Sequence, residues 1–144
     1  MQLSTRTRYG LQAMVELAAS EGILSLAALA QGQGISSAYL EQLFRALKQA
    51  GLLRSVRGAG GGYMLARSAG EITALQIVQV LEGNSAVSEC VSGAGEPCER
   101  ACVCAARPLF LELQAKINAV LDGTTLQDLA NQYNDQTTRF QNVR

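Results

Sequence analysis

The sequence predicts a mainly α-helical protein with one small β-hairpin. Three observations support this fold class. Apolar residues recur at spacings of three and four in several segments, two short apolar runs flank the glycine-rich stretch 58–62, and four cysteines cluster between two helical segments. The chain has 144 residues, 48% of them hydrophobic, which is enough for one ordinary domain with its own core.

The predicted helices follow one another along the chain with start and stop signals between them. They cover residues 4–20, 26–31, 37–49, 73–82, 108–121 and 126–133. The candidate N-caps are Ser4, Ser25, Thr73, and Thr124 or Thr125. The glycines expected to end helices are Gly22, Gly32 with Gly34, Gly51, Gly83 and Gly123. Pro108 suits a first helical turn, and the polar tail after Asn134 is expected to fray.

Two short strands are expected between the third and fourth helices, over residues 52–57 and 63–67. The glycine-rich segment 58–62 between them has the backbone freedom of a turn, so the two strands should form a β-hairpin.

Residues 26–45 have the spacing of a helix-turn-helix. Ala30 lies where two short helices would approach, and Gly34 lies in the turn, where a positive φ is favourable for glycine. Leu40 and Leu43 are spaced to bury the second helix against the first. An ordinary helical hairpin in a bundle would show the same spacing. The β-hairpin that follows directly favours a winged helix-turn-helix.

A winged helix-turn-helix would place its second helix in the DNA major groove. The residues expected to face that groove are Ser36, Ser37, Tyr39, Glu41 and Gln42. Glutamine can pair with adenine, and glutamate can accept a hydrogen bond from cytosine N4. The wing residues expected near the minor groove are Arg57, Gly58 and Gly60. Arg6 and Arg8 are expected to neutralise phosphates, with simple solvation as the alternative.

The net charge of zero conceals an asymmetry between the two halves. Residues 1–70 carry seven basic and three acidic side chains, whereas residues 71–144 carry five basic and nine acidic ones. A basic N-terminal half is consistent with a polyanionic partner, and chance scatter of the charges is the alternative.

Composition excludes several function classes. The chain contains no histidine, which removes histidine-based catalysis and mixed histidine–cysteine zinc sites. It contains no phosphate-binding GKS or GKT motif, so no enzymatic activity is expected. No apolar run is long enough to span a membrane and the N-terminus lacks a secretory signal, so a cytoplasmic protein without a membrane partner is expected.

Four cysteines lie within fifteen residues, and the rest of the chain has none. They are Cys90, Cys98, Cys102 and Cys104. Disulfides are disfavoured in the cytoplasm, so a metal or cluster site is the leading interpretation. An iron–sulfur cluster, a zinc site with four thiolates and a cluster-free thiol redox sensor all remain open.

Three segments resemble a known family. RYGLQAM near the start, GISSAYLEQLF in the predicted second helix of the motif and SVRGAGGGYML in the wing look like the winged-helix transcription regulators that include IscR, NsrR and CymR. The resemblance covers about residues 2–130 and implies a homodimeric bacterial regulator that reads an inverted-repeat operator in double-stranded DNA. It also implies that helix 108–121 crosses its twin in the dimer. The apolar seam of this helix agrees with that role, although an intrachain core would use it equally.

Several members of the resembled family hold an iron–sulfur cluster, and their cysteine pattern is C-x5-C-x5-C. Here Cys98 and Cys104 keep that spacing, while seven residues separate Cys90 from Cys98. Arg107 stands where IscR-like members have a histidine ligand, and Arg8 stands where NsrR-like members have an aspartate. The resemblance therefore implies that Cys102 replaces the missing fourth ligand. A carboxylate or a ligand from the partner chain is the alternative, and 2Fe–2S is favoured over 4Fe–4S.

These observations predict three parts: a DNA-binding domain over 1–83, a cluster-binding loop over 84–106, and a dimerisation helix with a C-terminal helix over 107–144. The predicted function is a dimeric transcription regulator, acting as a repressor, that senses cluster or redox status. The alternative is an iron–sulfur or zinc-binding carrier or structural protein without sequence-specific DNA binding.

Overall fold

The computed structural model describes residues 2–144 and contains six α-helices and one two-stranded antiparallel sheet. In chain order the elements are α1 (Thr5–Ser20), α2 (Leu26–Gln33), α3 (Ser37–Gln49), β1 (Leu53–Val56), β2 (Gly62–Leu65), α4 (Ala74–Glu82), α5 (Arg107–Asp122) and α6 (Leu126–Asn142). Short 3-10 turns lie at Ala69–Glu71 and Glu89–Val91. This arrangement confirms the mainly α-helical fold with a β-hairpin wing.

Side-chain hydroxyls cap five of the helices, because each accepts a hydrogen bond from an otherwise unpaired amide in the first turn. The N-caps are Ser4, Ser25, Ser36, Thr73 and Thr125. The predicted caps are thus confirmed, with Thr125 rather than Thr124 preceding α6. Helix α5 follows Ala106, whose side chain makes no capping hydrogen bond.

The core forms around α1, which packs against α2, α3, α4 and α6. Its largest fully buried side chains are Phe44, Met14, Leu17, Leu29, Leu40, Leu43, Leu47, Ile72, Ile77 and Leu126. The ring of Phe44 in α3 meets the ring of Tyr63 in β2 edge-on, with 5.1 Å between ring centroids. This contact fixes the wing relative to α3.

A third backbone segment joins the wing sheet at Leu24, between α1 and α2. The amide of Tyr63 donates to the carbonyl of Leu24 at 2.8 Å, and the amide of Leu24 donates to the carbonyl of Tyr63 at 3.1 Å. Gly62 makes this approach feasible, since a Cβ there would lie 2.1 Å from the Leu24 carbonyl oxygen. The wing is therefore tied to the start of the helix-turn-helix.

Two helices extend further than predicted. Gly32 does not break α2, which continues to Gln33, because the glycine lets the Glu16 carboxylate approach while Gln33 donates to that carboxylate at 2.8 Å. The tail after Asn134 does not fray but stays in α6 as far as Asn142. Residues 126–144 contain neither glycine nor proline, so no residue stops this helix early.

The end of α1 also differs from the prediction, because Glu21 and not Gly22 adopts the left-handed conformation, with φ 54°. None of the helices formed by residues 2–144 is long and apolar enough to span a lipid bilayer.

Candidate nucleic-acid interface and cysteine loop

The turn between α2 and α3 has the geometry of a helix-turn-helix. Gly34 ends α2 with φ 67°, and the amide of Ile35 donates to the carbonyl of Ala30 at 3.1 Å. Ala30 is buried where α2 meets its neighbours, and Leu40 and Leu43 bury the inner face of α3. The tight turn therefore fixes the orientation of the outer face of α3.

The five residues predicted to face the major groove lie in two kinds of environment. Ser37, Glu41 and Gln42 are exposed on the outer face of α3. Ser36 is exposed too, but its hydroxyl accepts the cap hydrogen bond from the Tyr39 amide at 3.1 Å. Tyr39 is half-buried, and its ring lies edge-on to Tyr9 of α1 with 6.4 Å between centroids. Ser36 and Tyr39 thus also stabilise the start of α3.

Arg45 lies one turn after Glu41, and its guanidinium is 3.9 Å from the Glu41 carboxylate. Both side chains are exposed, so the free energy of this ion pair is small, and either group remains accessible to a ligand. Sequence reasoning counted Arg45 only as a charge. The i, i+4 spacing from Glu41 was the signal that could have identified it.

The wing glycines have different structural roles. Gly58 adopts φ 106°, and its carbonyl accepts a hydrogen bond from the Gly61 amide at 3.0 Å. A Cβ on Gly61 would lie 2.3 Å from the Val56 carbonyl oxygen, so the turn itself needs this glycine. A Cβ on Gly60 would meet no described atom within 4 Å. The fold therefore does not require a glycine at position 60, and its small surface is open to a ligand.

Basic side chains cover the segment that joins α3 to the wing. Arg57 is exposed directly after β1, and Arg54 is exposed on β1 itself. The Lys48 ammonium at the end of α3 donates to the Ser55 hydroxyl at 2.8 Å, which links α3 to β1. The basic side chains near the outer face of α3 thus form a cationic surface, which consists of Arg45, Lys48, Arg54 and Arg57. Lys48 and Arg54 were not predicted as site residues, because single exposed lysines and arginines are common on protein surfaces.

Arg6 and Arg8 are exposed in the first two turns of α1. Near them, Glu82 at the end of α4 accepts hydrogen bonds from the Thr7 hydroxyl and from the hydroxyl and amide of Ser4. The Thr7 hydrogen bond and those from Ser4 hold the pKa of Glu82 below its usual value, with a further contribution from the Arg6 charge.

The cysteine loop, residues 84–106, connects α4 to α5, and the structure describes no helix or strand of more than three residues within it. All four cysteines in it are free thiols. Cys90 and Cys104 are half-buried, whereas Cys98 and Cys102 are exposed. The backbone from Cys98 onward forms successive turns, with the Ala101 amide donating to the Cys98 carbonyl at 2.9 Å. The backbone after Cys98 is thus irregular, as expected for a stretch within the predicted loop 84–106.

A cleft of about 280 Å³ lies within this loop. Its lining includes Cys90, Cys98, Glu89, Glu96 and Arg107, but neither Cys102 nor Cys104. The Cys90 sulfur lies 3.3 Å from the Ser88 hydroxyl. Among residues 2–144, no three cysteine, aspartate or glutamate side chains are placed so that they could hold one metal ion. Two of the four predicted ligands, Cys90 and Cys98, thus line the same cleft.

Helix α5 exposes apolar side chains on a long face. No residue along its described length is fully buried, and Leu109 and Val120 are 62% and 68% exposed. The apolar seam predicted for this helix consists of Phe110, Leu113, Ile117, Val120 and Leu121; all of these except the exposed Val120 are half-buried. A helix with so little burial leaves apolar surface available for another chain.

Comparison with known proteins agrees with this architecture. The family model for Rrf2, described as an iron-dependent transcriptional regulator, matches residues 3–132. The transcriptional regulator CymR of Bacillus subtilis strain 168 is 44% identical over 133 residues, which cover 91% of this chain and 91% of CymR.

Two solved structures share the fold. The structure of CymR, named as the global cysteine regulator of B. subtilis, superposes with a TM-score of 0.74 at 43% identity and covers 91% of this chain and 97% of CymR. The structure of T. potens IscR also gives a TM-score of 0.74, at 37% identity, covering 92% of this chain and 88% of IscR. These relatives are transcriptional regulators and not enzymes, as predicted for this chain. The protein is thus a DNA-binding transcriptional regulator of the winged helix-turn-helix type, and it belongs to the Rrf2 family.

Proposed function

We propose that the protein is a homodimeric regulator whose binding to an operator is controlled by an iron–sulfur cluster held in the cysteine loop. The observation that carries the proposal is the position of four free thiols on an irregular loop between α4 and α5. Helix α4 packs on α1 and α3, and α5 packs on α4. A change in the loop is therefore connected through packed helices to the DNA-binding surface.

The exposed face of α3 would read base edges in the major groove. Ser37, Glu41 and Gln42 present accessible polar groups there, and Ser36 and Tyr39 would contact the backbone or bases at the helix start. Arg57 would enter the minor groove, with Gly58 and Gly60 allowing the wing backbone to approach. Arg6 and Arg8 would neutralise phosphates.

A second copy of the chain would cover the apolar face of α5. Two copies related by a twofold axis present two α3 helices, so the operator would be an inverted repeat in double-stranded DNA. In this proposal residues 1–83 bind DNA, residues 84–106 bind the cluster, and residues 107–144 form the dimer contact in a cytoplasmic protein. Occupancy of the operator by the dimer would repress transcription.

Cys90, Cys98, Cys102 and Cys104 would hold the cluster. Thiolates are the commonest ligands of iron–sulfur clusters, and the chain supplies four of them and no histidine. In a helix, the side chains of Cys102 and Cys104 would point in nearly opposite directions. The backbone after Cys98 forms turns instead, so this constraint does not apply. The loop must still close so that all four sulfurs converge. When bound, the cluster would supply a redox-sensitive charge, and 2Fe–2S is favoured over 4Fe–4S; zinc is the alternative occupant.

A cluster-free thiol sensor is the second candidate function. The exposure of Cys98 and Cys102 favours it, since exposed thiols are accessible to oxidants. CymR, which is similar along most of the chain, is named a global cysteine regulator. In this version two of the cysteines would form a disulfide that alters the same loop.

Anaerobic purification tests the proposal. We expect coloured protein with stoichiometric iron and sulfide, and an operator affinity that differs between the holo and apo forms and falls steeply with salt. Colourless, iron-free protein whose operator affinity responds to oxidant would favour the thiol sensor instead. A carrier protein would contain iron and sulfide yet show little salt-dependent affinity for DNA.

A further inference from the structure

The cleft within the cysteine loop combines one cation, two carboxylates and two thiols. Its lining includes Arg107, Glu89, Glu96, Cys90 and Cys98. In the conformation that residues 2–144 adopt, no three ligating side chains are placed to hold one metal ion, so this lining does not fit an iron–sulfur cluster unless the loop closes. The groups present instead match a ligand that carries both charges and reacts with a thiol.

Arg107, at the start of α5, is the part of the lining that lacks a partner. Its side chain is half-buried, and its Nε atom is buried without a hydrogen-bond acceptor among the described residues. A buried donor without a partner is unfavourable and indicates an acceptor that the polypeptide does not supply. A guanidinium binds a carboxylate through two parallel hydrogen bonds, so Arg107 favours a ligand that bears a carboxylate.

The two glutamates of the cleft add a preference for a positive group on the same ligand. Glu89 and Glu96 are exposed, and neither forms an ion pair with Arg107 within the described part of the chain. They would repel a ligand that carries only negative charge, whereas a zwitterion places its carboxylate at Arg107 and its ammonium at a glutamate. The cleft volume of about 280 Å³ lies near the lower end of the ~300–1,000 Å³ found for small-molecule sites, which suits an amino acid better than a peptide.

The thiols give the cleft a chemical reaction as well as a charge pattern. Cys98 is exposed, whereas Cys90 is half-buried with its sulfur 3.3 Å from the Ser88 hydroxyl. A ligand in the cleft therefore reaches the Cys98 sulfur more easily. Thiolates attack disulfides, so an amino acid that carries a disulfide can react at this position.

We propose that the cleft binds one half of a small amino-acid disulfide, of which cystine is the simplest, and that Cys98 reacts with it by thiol–disulfide exchange. Arg107 holds the carboxylate of the bound half, and Glu89 or Glu96 holds its ammonium. This proposal rests on the second candidate function, the cluster-free thiol sensor, for which it names an oxidant.

The exchange at Cys98 needs no other reactant. The Cys98 thiol gives up its proton and its sulfur attacks the disulfide sulfur of the bound half. A new S–S bond forms, the S–S bond of the ligand breaks, and the other half leaves as a thiolate that takes up a proton. The Cys98 thiol is oxidised while the displaced half of the disulfide is reduced.

The test follows how fast the cysteines of the reduced, iron-free protein react with two disulfides. Cystine is compared with hydroxyethyl disulfide, which has neither carboxylate nor ammonium groups. Alkylation of the remaining thiols and peptide mass spectrometry give the ratio of the rate at Cys98 to the rate at Cys102, an exposed thiol outside the cleft lining. This ratio cancels the difference in intrinsic reactivity between the disulfides. Arg107→Met removes the guanidinium, and Arg100→Met is the matched control, because Arg100 is an exposed cation of the same loop outside the lining.

We expect the Cys98 to Cys102 ratio to be at least tenfold higher with cystine than with hydroxyethyl disulfide, which corresponds to about 1.4 kcal/mol. Arg107→Met should lower the cystine ratio to the hydroxyethyl disulfide ratio and leave the latter unchanged, while Arg100→Met should match the wild type. Circular dichroism establishes that both variants are folded. Diacetylcystine, which lacks the ammonium groups, should react at Cys98 more slowly than cystine.

Equal ratios for cystine and hydroxyethyl disulfide in the wild type would overturn the proposed site, as would an Arg107→Met variant that keeps the cystine preference. A higher ratio with glutathione disulfide than with cystine would also overturn it, because that peptide is larger and carries excess negative charge. Hydrogen peroxide, which oxidises a thiol to a sulfenic acid with release of water, tests the thiol sensor separately. Reaction of Cys98 with peroxide but without a preference for cystine would leave the sensor function standing and remove the amino-acid site.

Discussion

The hydroxyl of Ser4 donates a 2.8 Å hydrogen bond to the carboxylate of Glu82, although the two residues are 78 positions apart in the sequence. The same carboxylate also accepts hydrogen bonds from the Ser4 amide and the Thr7 hydroxyl. It therefore caps the start of α1 with a negative charge supplied by the end of α4. This contact couples the DNA-binding helices to the helix that leads into the cysteine loop.

The cap makes stability depend on pH. Hydrogen bonds, above all the one from Thr7, lower the pKa of Glu82 in the folded protein from its ordinary value of 4.5. The ionised carboxylate therefore stabilises the fold above pH 4.5, and this stabilisation is lost as the pH falls through the folded-state pKa. Glu82→Gln should therefore lower the free energy of unfolding by about 1–2 kcal/mol at neutral pH. Urea denaturation should show the difference from wild type shrinking below pH 4.5. Glu112→Gln, an exposed carboxylate, is the control and should change little. A difference independent of pH would refute the charge-based cap.

Substitutions at two wing glycines should distinguish an effect on folding from an effect on DNA binding. Gly62→Ala would place a Cβ 2.1 Å from the Leu24 carbonyl oxygen, so we expect a loss of about 1–3 kcal/mol in stability. Gly60→Ala meets no described atom and should leave stability unchanged, while weakening operator binding if the wing backbone approaches DNA closely. Thermal unfolding and operator titration of both variants check this. Unchanged operator affinity in Gly60→Ala would remove residue 60 from the interface.

The elements that the sequence predicted well have local causes. Hydroxyl caps, helical spacing and the positive φ at Gly34 act within a few residues, so α2, α3 and the wing could be located from sequence. The bridge between Leu24 and Tyr63 and the cap from Glu82 join distant segments, and no local pattern indicates them. Gly32 was misread as a stop for the same reason, since its contact with Glu16 comes from another helix.

The candidate site also combines features that the sequence reveals with features that depend on tertiary packing. Cysteine count and spacing identified the loop, because thiolate chemistry is visible in composition. The cleft and the unpaired Nε of Arg107 depend on how the turns pack, which composition does not specify.

Arg57→Ala should weaken operator binding by about 1–3 kcal/mol if the guanidinium enters a narrow A·T minor groove. Its exposed position at the start of the wing turn is the reason for this expectation. Affinities are measured on operators with and without central A·T steps. Arg67→Ala is a matched control, because Arg67 follows the other strand and contacts Gln76 at 3.4 Å. Equal affinity of wild type and Arg57→Ala on both operators would exclude the wing contact.

Glu41→Ala should broaden sequence preference without abolishing binding. The carboxylate repels phosphate wherever no cytosine amine receives it, so its removal relieves a penalty on incorrect sites. The change also releases Arg45, 3.9 Å away, to contact phosphate. Selection of binding sites from random DNA should yield a less restricted motif for Glu41→Ala, whereas the exposed control Glu71→Ala should retain the wild-type motif. An identical motif for Glu41→Ala and wild type would contradict the proposed role.

Cys102 provides the sharpest test of the ligand set. A cluster held by Cys90, Cys98 and Cys104 lacks a fourth ligand, and Arg8 and Arg107 occupy the positions where the resembled regulators supply one. The irregular backbone after Cys98 removes the helical constraint that would point Cys102 and Cys104 in different directions.

Cys102→Ser should therefore shift the absorption spectrum of the cluster and make it labile in air, because a hydroxyl is a poorer ligand for iron than a thiolate. Replacing Cys90, Cys98 or Cys104 by alanine should abolish the cluster. Ser92→Ala is the control, because it removes from the same loop a hydroxyl that donates to the Glu89 carbonyl but removes no thiol. It shows whether a disturbance of the loop alone alters the cluster. If Cys102→Ser kept the wild-type spectrum, iron content and air stability, the fourth ligand would instead be a carboxylate such as Glu89, Glu96 or Glu99, or a group from the partner chain. Cys102 would then be left as an exposed thiol outside the cleft.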